Sequence, residues 1–168
     1  PASLFVPNLM FSIALAEAAR VQNVKGYLFT SSVAVYPKAK LFKEDQVWRG
    51  WPSKNDYPAG WAKRMGELQI EFYRAEYKLK HFVTVRPPSV YGPYDNFDSP
   101  TAMIIPALIK KVLSGVNPLV INGDGSQTRD FIHARDVAKG MLIALQKDVK
   151  HPINLGSGKP VSIKELIK

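Results

Sequence analysis

Apolar residues along the chain follow two periods. Residues 8–21 are apolar on most helical faces, with Asn8 as a suitable N-cap, and predict a helix that is buried or pairs with another helix. Residues 26–31, Gly-Tyr-Leu-Phe-Thr-Ser, predict a strand covered on both faces, as in a parallel sheet. A loop rich in Pro, Lys, Trp and Asp follows. From about Gly60, Trp61, Met65, Leu68 and Phe72 recur at helical spacing and predict a long amphipathic helix carrying them on one side. Residues 82–85 read as the next strand, so strand, helix and strand suggest a right-handed βαβ crossover. Beyond them the pattern predicts a helix over 101–113 despite Pro106, short strands at 118–121 and 131–132, and a helix over 136–146. A short strand at 153–155 and a final helix capped by Ser162 complete it.

The predicted class is α/β: a Rossmann-like, doubly wound parallel sheet with a smaller C-terminal substrate-binding subdomain. Residues 1–88 would form the C-terminal half of the Rossmann-like domain. Residues 89–168 would be mostly the subdomain, with the strand at 153–155 returning toward the sheet. No repeat, low-complexity tract or linker interrupts the 168 residues.

Composition narrows the chemistry. The absence of cysteine excludes disulfides, thiolate nucleophiles and thiolate metal sites, and fits a cytoplasmic protein. No apolar run is read as approaching a membrane span, and no basic segment precedes an apolar core at the N-terminus, so neither membrane nor signal peptide is expected. The net charge of +9 suits anionic small molecules. The lysines are scattered without an arginine-rich arm, so no nucleic-acid partner is expected. His133 and Asp136 read as structural, and no metal is expected.

Five segments carry candidate chemistry, and a sixth completes the series. Ser31-Ser32-Val33-Ala34-Val35-Tyr36-Pro37 directly follows a strand, where open parallel sheets bind ligands. Ala59-Gly60-Trp61-Ala62-Lys63 opens the long helix. Arg86-Pro87-Pro88-Ser89-Val90-Tyr91-Gly92-Pro93 follows the second strand. Tyr94-Asp95-Asn96-Phe97 leads to Ile104-Ile105-Pro106. Gly123-Asp124-Gly125 leads to Arg129-Asp130-Phe131-Ile132-His133, and Asn154-Leu155-Gly156-Ser157-Gly158 comes last. Alone, each is a turn, a cap or a surface residue. Gly156-Ser157-Gly158-Lys159 lacks the spacing of a Walker loop.

In this order the segments resemble the extended short-chain dehydrogenase/reductases, the NAD-dependent nucleotide-sugar epimerase/dehydratase family, with the nearest look to GDP-fucose synthases and nucleotide-sugar 4-epimerases. The resemblance implies a nicotinamide cofactor, NAD or NADP, and a nucleotide-diphosphate sugar as substrate. It implies an epimerase or 4-ketoreductase acting by hydride transfer at the sugar C4. Ser32 would orient the reacting hydroxyl, and Lys63 would bind the cofactor ribose and tune the catalytic base. Pro87, Ser89 and Val90 would pass the nicotinamide; Ser89, Asn96 and Arg129 would contact the sugar nucleotide, Arg129 gripping its diphosphate with paired donors. The resemblance also implies a homodimer through a four-helix interface, and a glycine-rich dinucleotide turn upstream of Pro1.

The chain departs from the family at the residue four before Lys63. A Tyr there shares a helix face with the Lys, whose ammonium favours the phenolate. This chain has Ala59, and a methyl group transfers no proton. Three readings stand: a Tyr-to-Ala variant of an active enzyme, an enzyme using Tyr57 as a substitute base, or an inactive nucleotide-sugar-binding module. Tyr57 would lie roughly 120° around the helix from Lys63, and Pro58 favours an extended Tyr57. Ala34 and Met103 stand where the fucose synthases carry catalytic Cys and His, which speaks against 3,5-epimerisation. Ser31-Ser32-Val33 replaces the Thr-Asp-Glu of the 4,6-dehydratases, which speaks against dehydration.

Overall fold

The computed structural model describes residues 1–98 and 101–168. The chain divides into two compact units, residues 1–87 with 138–155, and residues 88–137 with 156–168. The first unit therefore regains the chain from residue 138, inside a helix, earlier than the strand at 153–155.

In the first unit, helix α1 (Ala2–Val21) precedes strand β1 (Tyr27–Thr30), and helix α2 (Tyr57–Tyr77) precedes β2 (Phe82–Arg86). Strand β5 (Ile153–Asn154) completes a three-stranded parallel sheet in the order β1-β2-β5, with Phe29 opposite Thr84 and Arg86 opposite Asn154. Side chains alternate across the strands. Phe29 and Phe82 pack with Ala16, Ala19 and Ile70 of α1 and α2. Leu28, Val83 and Val85 pack instead with Met141, Ala144 and Leu145 of helix α4 (Ala134–Gln146). Helices therefore cover both faces, as the doubly wound reading requires.

Several elements differ from expectation for identifiable reasons. Helix α1 begins at Ala2 rather than near Asn8. Pro7 removes only the bond to Ser3, and the Asn8 amide donates to Leu4 O at 2.8 Å within the helix instead of capping it. By length and composition α1 is apolar enough to cross a membrane, contrary to the reading that no such run exists. In the fold it packs on α2, with Ala16 and Ala19 buried. Helix α2 begins at Tyr57, so Tyr57 is helical rather than extended. Pro58 falls in the first turn, where a missing N–H costs little.

The side of α2 bearing Trp61, Met65, Leu68 and Phe72 is not its buried side: Phe72 is 58% exposed, while Ala62, Gly66 and Ile70 are buried. Small residues let α2 approach the sheet. A Cβ on Gly66 would stand 2.8 Å from Cε1 and 2.9 Å from Cε2 of Phe29.

In the second unit, β3 (Ser89–Tyr91) runs parallel to β4 (Thr128–His133), and β6 (Pro160–Ser162) pairs antiparallel with β4. Helix α3 (Ile104–Leu113) starts three residues later than predicted, with Pro106 buried in its first turn. Residues 118–121 form no strand. Val120 is 64% exposed, and its carbonyl accepts from Lys111 Nζ rather than from a neighbouring strand. Ser162 caps α5 (Ile163–Leu166), its Oγ accepting from Glu165 N at 3.2 Å.

The Gly66 contact sets two effects against each other. Gly66→Ala gains about 1 kcal/mol of helix propensity but forces a methyl into the Phe29 ring, an overpacking that costs about 1–3 kcal/mol. Chemical denaturation should show net destabilisation; a raised midpoint would contradict the close approach.

Candidate functional site

The candidate site of the first unit lies at the carboxyl end of β1. The strand ends at Thr30, and Ser32 follows in extended conformation as N-cap of a short 3-10 turn, Val33–Val35. Its Oγ accepts from Ala34 N at 3.1 Å, which leaves the Ser32 O–H free to donate elsewhere. Lys63 reaches this strand end from α2: Nζ donates to Thr30 O at 2.8 Å, two residues before Ser32. The ammonium also lies 5.3 Å from the centre of the Phe29 ring. Burial holds the Lys63 pKa below its ordinary value. Two of its three N–H donors remain after the bond to Thr30. Ser32 and Lys63 are thus brought to one strand end.

Ala59 is half-buried one turn before Lys63, and Gly60 beside it is buried. A Cβ on Gly60 would run into Ala34 O and Pro52, so the start of α2 presses on the Ser32 turn. Tyr57 is not brought to Lys63. Its ring packs with Trp51 and Trp61, at centroid distances of 6.0 and 6.2 Å. On this continuous helix it sits about 120° around from Lys63. The substitute-base geometry is therefore absent.

Behind the strand end lies a polar network that the motif reading did not assign. Arg86 and Glu67 form a buried pair, with side chains 3% and 4% exposed. Arg86 Nε donates to Glu67 Oε1 at 2.8 Å and Nη2 donates to Oε2 at 2.7 Å. Ser31 Oγ also donates to Glu67 Oε1, at 2.5 Å. Arg86 Nη1 donates to the Tyr36 hydroxyl at 2.9 Å and to Glu44 O at 3.1 Å. Tyr36 in turn donates to Asn154 Oδ1 at 2.7 Å. Burial works against the Arg86 charge, but the Glu67 bonds outweigh it and its pKa is raised; burial likewise raises Tyr36.

Arg64 is almost fully buried and, among the described residues, forms no ion pair. It donates to the carbonyls of Val35, Val47 and Gly50, between Trp48 and Trp61, and burial lowers its pKa. Two signals for these groups were present in the sequence: Glu67 lies four residues after Lys63, and Arg86 ends an otherwise uncharged buried strand.

Pro87 follows β2, and its carbonyl accepts from Val33 N at 3.3 Å. The other expected residues lie in the second unit. Ser89 and Val90 are in β3, paired with Phe131 and Ile132. Asn96 is occupied by its own loop, Nδ2 donating to Thr101 Oγ1 at 2.8 Å and Oδ1 accepting from Asp98 N at 2.8 Å. Arg129 is exposed in β4 and, among the described residues, makes no ion pair. The 156–158 loop is held internally: Asp130 accepts from Ser157 N at 3.0 Å and Gly158 N at 3.2 Å. His133 Nδ1 accepts from Arg135 N at 3.1 Å, and the ring meets Tyr91 edge-on.

Comparison with known proteins adds an independent line. Residues 1–156 match the model of the NAD dependent epimerase/dehydratase family. GDP-L-fucose synthase of Sinorhizobium fredii (strain NBRC 101917 / NGR234) is 31% identical over 174 residues, covering 99% of this chain and 55% of that protein. The chain thus spans about half the length of such relatives. The solved UDP-N-acetylglucosamine 4-epimerase from Methanobrevibacter ruminantium M1, in complex with UDP-N-acetylmuramic acid, superposes with a TM-score of 0.83 at 32% identity, over 95% of this chain and 50% of that one. A GDP-D-glycero-L-gluco-heptose synthase from Campylobacter jejuni, solved in the presence of NADPH, superposes with a TM-score of 0.83 at 26% identity, over 99% of this chain and 62% of that one. A strand end carrying Ser and Lys, a sheet with helices on both faces and a match over 156 residues converge: the chain belongs to the NAD-dependent epimerase/dehydratase family.

Proposed function

We propose that the protein carrying this chain binds a nucleotide-diphosphate sugar and NAD or NADP, and that its active form is an epimerase or 4-ketoreductase acting at the sugar C4. One observation carries this reading: the Lys63 ammonium sits on the Thr30 carbonyl, two residues before Ser32, whose hydroxyl is free to donate. The residues present fit a dinucleotide. Lys63 keeps two donors, enough for the vicinal hydroxyls of a ribose, and its partial desolvation strengthens both bonds. When bound, the dinucleotide supplies hydride exchange. In the first unit Ser32 orients the reacting hydroxyl and Lys63 holds the ribose. In the second unit the exposed Arg129 guanidinium supplies paired donors for a diphosphate, and Ser89 and Val90 are the further contacts proposed for cofactor and sugar.

A second reading rests on Ala59. The position that would share a face with Lys63 carries a methyl group, and Tyr57 is packed against two tryptophans. A nucleotide-sugar-binding module without turnover is consistent with both facts. Replacing Ala59 by Tyr restores the helix-face pair with Lys63.

The apolar surface of α1 supports a homodimer. Met10, Phe11 and Val21 are 59%, 68% and 58% exposed, and Phe72 of α2 is 58% exposed. A second copy that packs its own α1 and α2 on this surface would form a four-helix interface. A cytoplasmic location is proposed with it, on the absence of cysteine.

Three measurements test these statements. Isothermal titration of the full-length protein with UDP- and GDP-sugars should show binding by at least one, weakened about tenfold or more by Arg129→Ala. No binding by any of them would end the reading. Ala59→Tyr should raise C4 epimerase or reductase turnover by about 10²-fold or more, the scale of a positioned acid–base group. Unchanged turnover, with sugar binding intact, would favour the binding module. Light scattering should give twice the chain mass, reduced to one chain by Phe11→Glu; a monomeric wild type would remove the dimer.

A further inference from the structure

We propose that Glu67 and Arg86 are a positioning pair for the Ser32–Lys63 site, with Ser31 as the link. The inference deepens the proposed function and rests on its site. The Glu67 carboxylate takes the Ser31 hydroxyl and both arms of Arg86. Ser31 immediately precedes Ser32, so its side-chain bond fixes the direction in which the chain leaves β1. Glu67 stands four residues after Lys63 on α2, one helical turn away on the same face. One carboxylate therefore sets both the strand end that bears the hydroxyl and the helix rotation that bears the ammonium. Arg86 closes the frame, because it ends β2 and reaches Tyr36 and Glu44 beyond the Ser32 turn.

Energetics favour a positioning role over a purely stabilising one. A well-packed apolar pair of similar volume is often as stable as a buried ion pair, or more so. What the ion pair supplies is direction. Five hydrogen bonds from Ser31 and Arg86 converge on fixed acceptors in α2, the Ser32 turn and the following loop. A misplacement of about 1 Å in such a frame can cost about 10²-fold in rate.

The test separates positioning from stability and does not depend on turnover. Lys63 is followed by NMR titration of its side chain in wild type, Ser31→Ala and Glu67→Gln. Asp148→Asn serves as control, because it breaks the Arg74–Asp148 pair near the far end of α2 and costs stability there. Among the described residues, Thr30 O and the Phe29 ring are the groups seen against the Lys63 ammonium, so its titration reports the seat on β1. The expected result is a rise in the Lys63 midpoint of about half a pH unit or more in the charge-neutral Ser31→Ala, roughly a threefold change in the amine-to-ammonium ratio at fixed pH; in Glu67→Gln the lost negative charge lowers the midpoint in addition, so the Ser31→Ala shift decides. Asp148→Asn should leave the midpoint unmoved.

In a protein that turns over, Ser31→Ala should lower kcat about tenfold with KM for the sugar nucleotide little changed. If Lys63 titrates identically in wild type and Ser31→Ala, the pair is structural only and the proposal is overturned, whether or not any sugar nucleotide is bound. If the titration shifts as expected while no sugar nucleotide binds, positioning stands and the functional reading fails.

Discussion

A carboxylate and a guanidinium, both almost fully withdrawn from water at the end of β2, impose the arrangement around them. Leaving either without partners would cost several kcal/mol. The sequence around them therefore supplies hydrogen-bonding groups at every open position. Ser31 fills the third bond to Glu67, Tyr36 and the Glu44 carbonyl take Arg86 Nη1, and Asn154 of β5 takes the Tyr36 hydroxyl. The carboxyl ends of all three strands of the first unit are joined through this one pair. Open parallel sheets present ligand sites at these ends, and here Lys63 bonds the Thr30 carbonyl two residues before Ser32.

Close backbone approach makes the pairing feasible. Gly66 lets α2 lie against the Phe29 ring, and Gly60 lets its first turn rest on the Ala34 carbonyl. Buried Arg64 gathers three carbonyls of the segment between β1 and α2. The result is a firm seat for the Ser32 hydroxyl and the Lys63 amine, with the methyl group of Ala59 one turn before Lys63.

Much of this was legible in the residues. The strand at 27–30 and the buried strand ending at Arg86 follow from continuous apolar runs, and the ordered segments identified the family. What escaped notice follows a common cause: local pattern outweighed tertiary contact. The large residues Trp61 and Phe72 suggested the packed side of α2, whereas the sheet demanded small ones, Ala62 and Gly66. Asn8 read as a helix cap and Pro58 as favouring an extended Tyr57, yet Asn8, Tyr57 and Pro58 all lie within helices. Residues 118–121 have strand composition, but the Val120 carbonyl accepts from the Lys111 ammonium rather than from a neighbouring strand. Glu67 and Arg86 were visible as letters, while their pairing depends on a separation of 19 residues that no local period encodes.

The account stands on Lys63 facing a bound dinucleotide at the end of β1. Competitive labelling of the full-length protein with an amine-reactive reagent, with and without NAD or NADP, measures this directly. The account predicts that the dinucleotide slows labelling of Lys63 several-fold while the exposed Lys40 and Lys54 react as before. Equal labelling of Lys63 in both conditions, with dinucleotide binding verified independently, would contradict it.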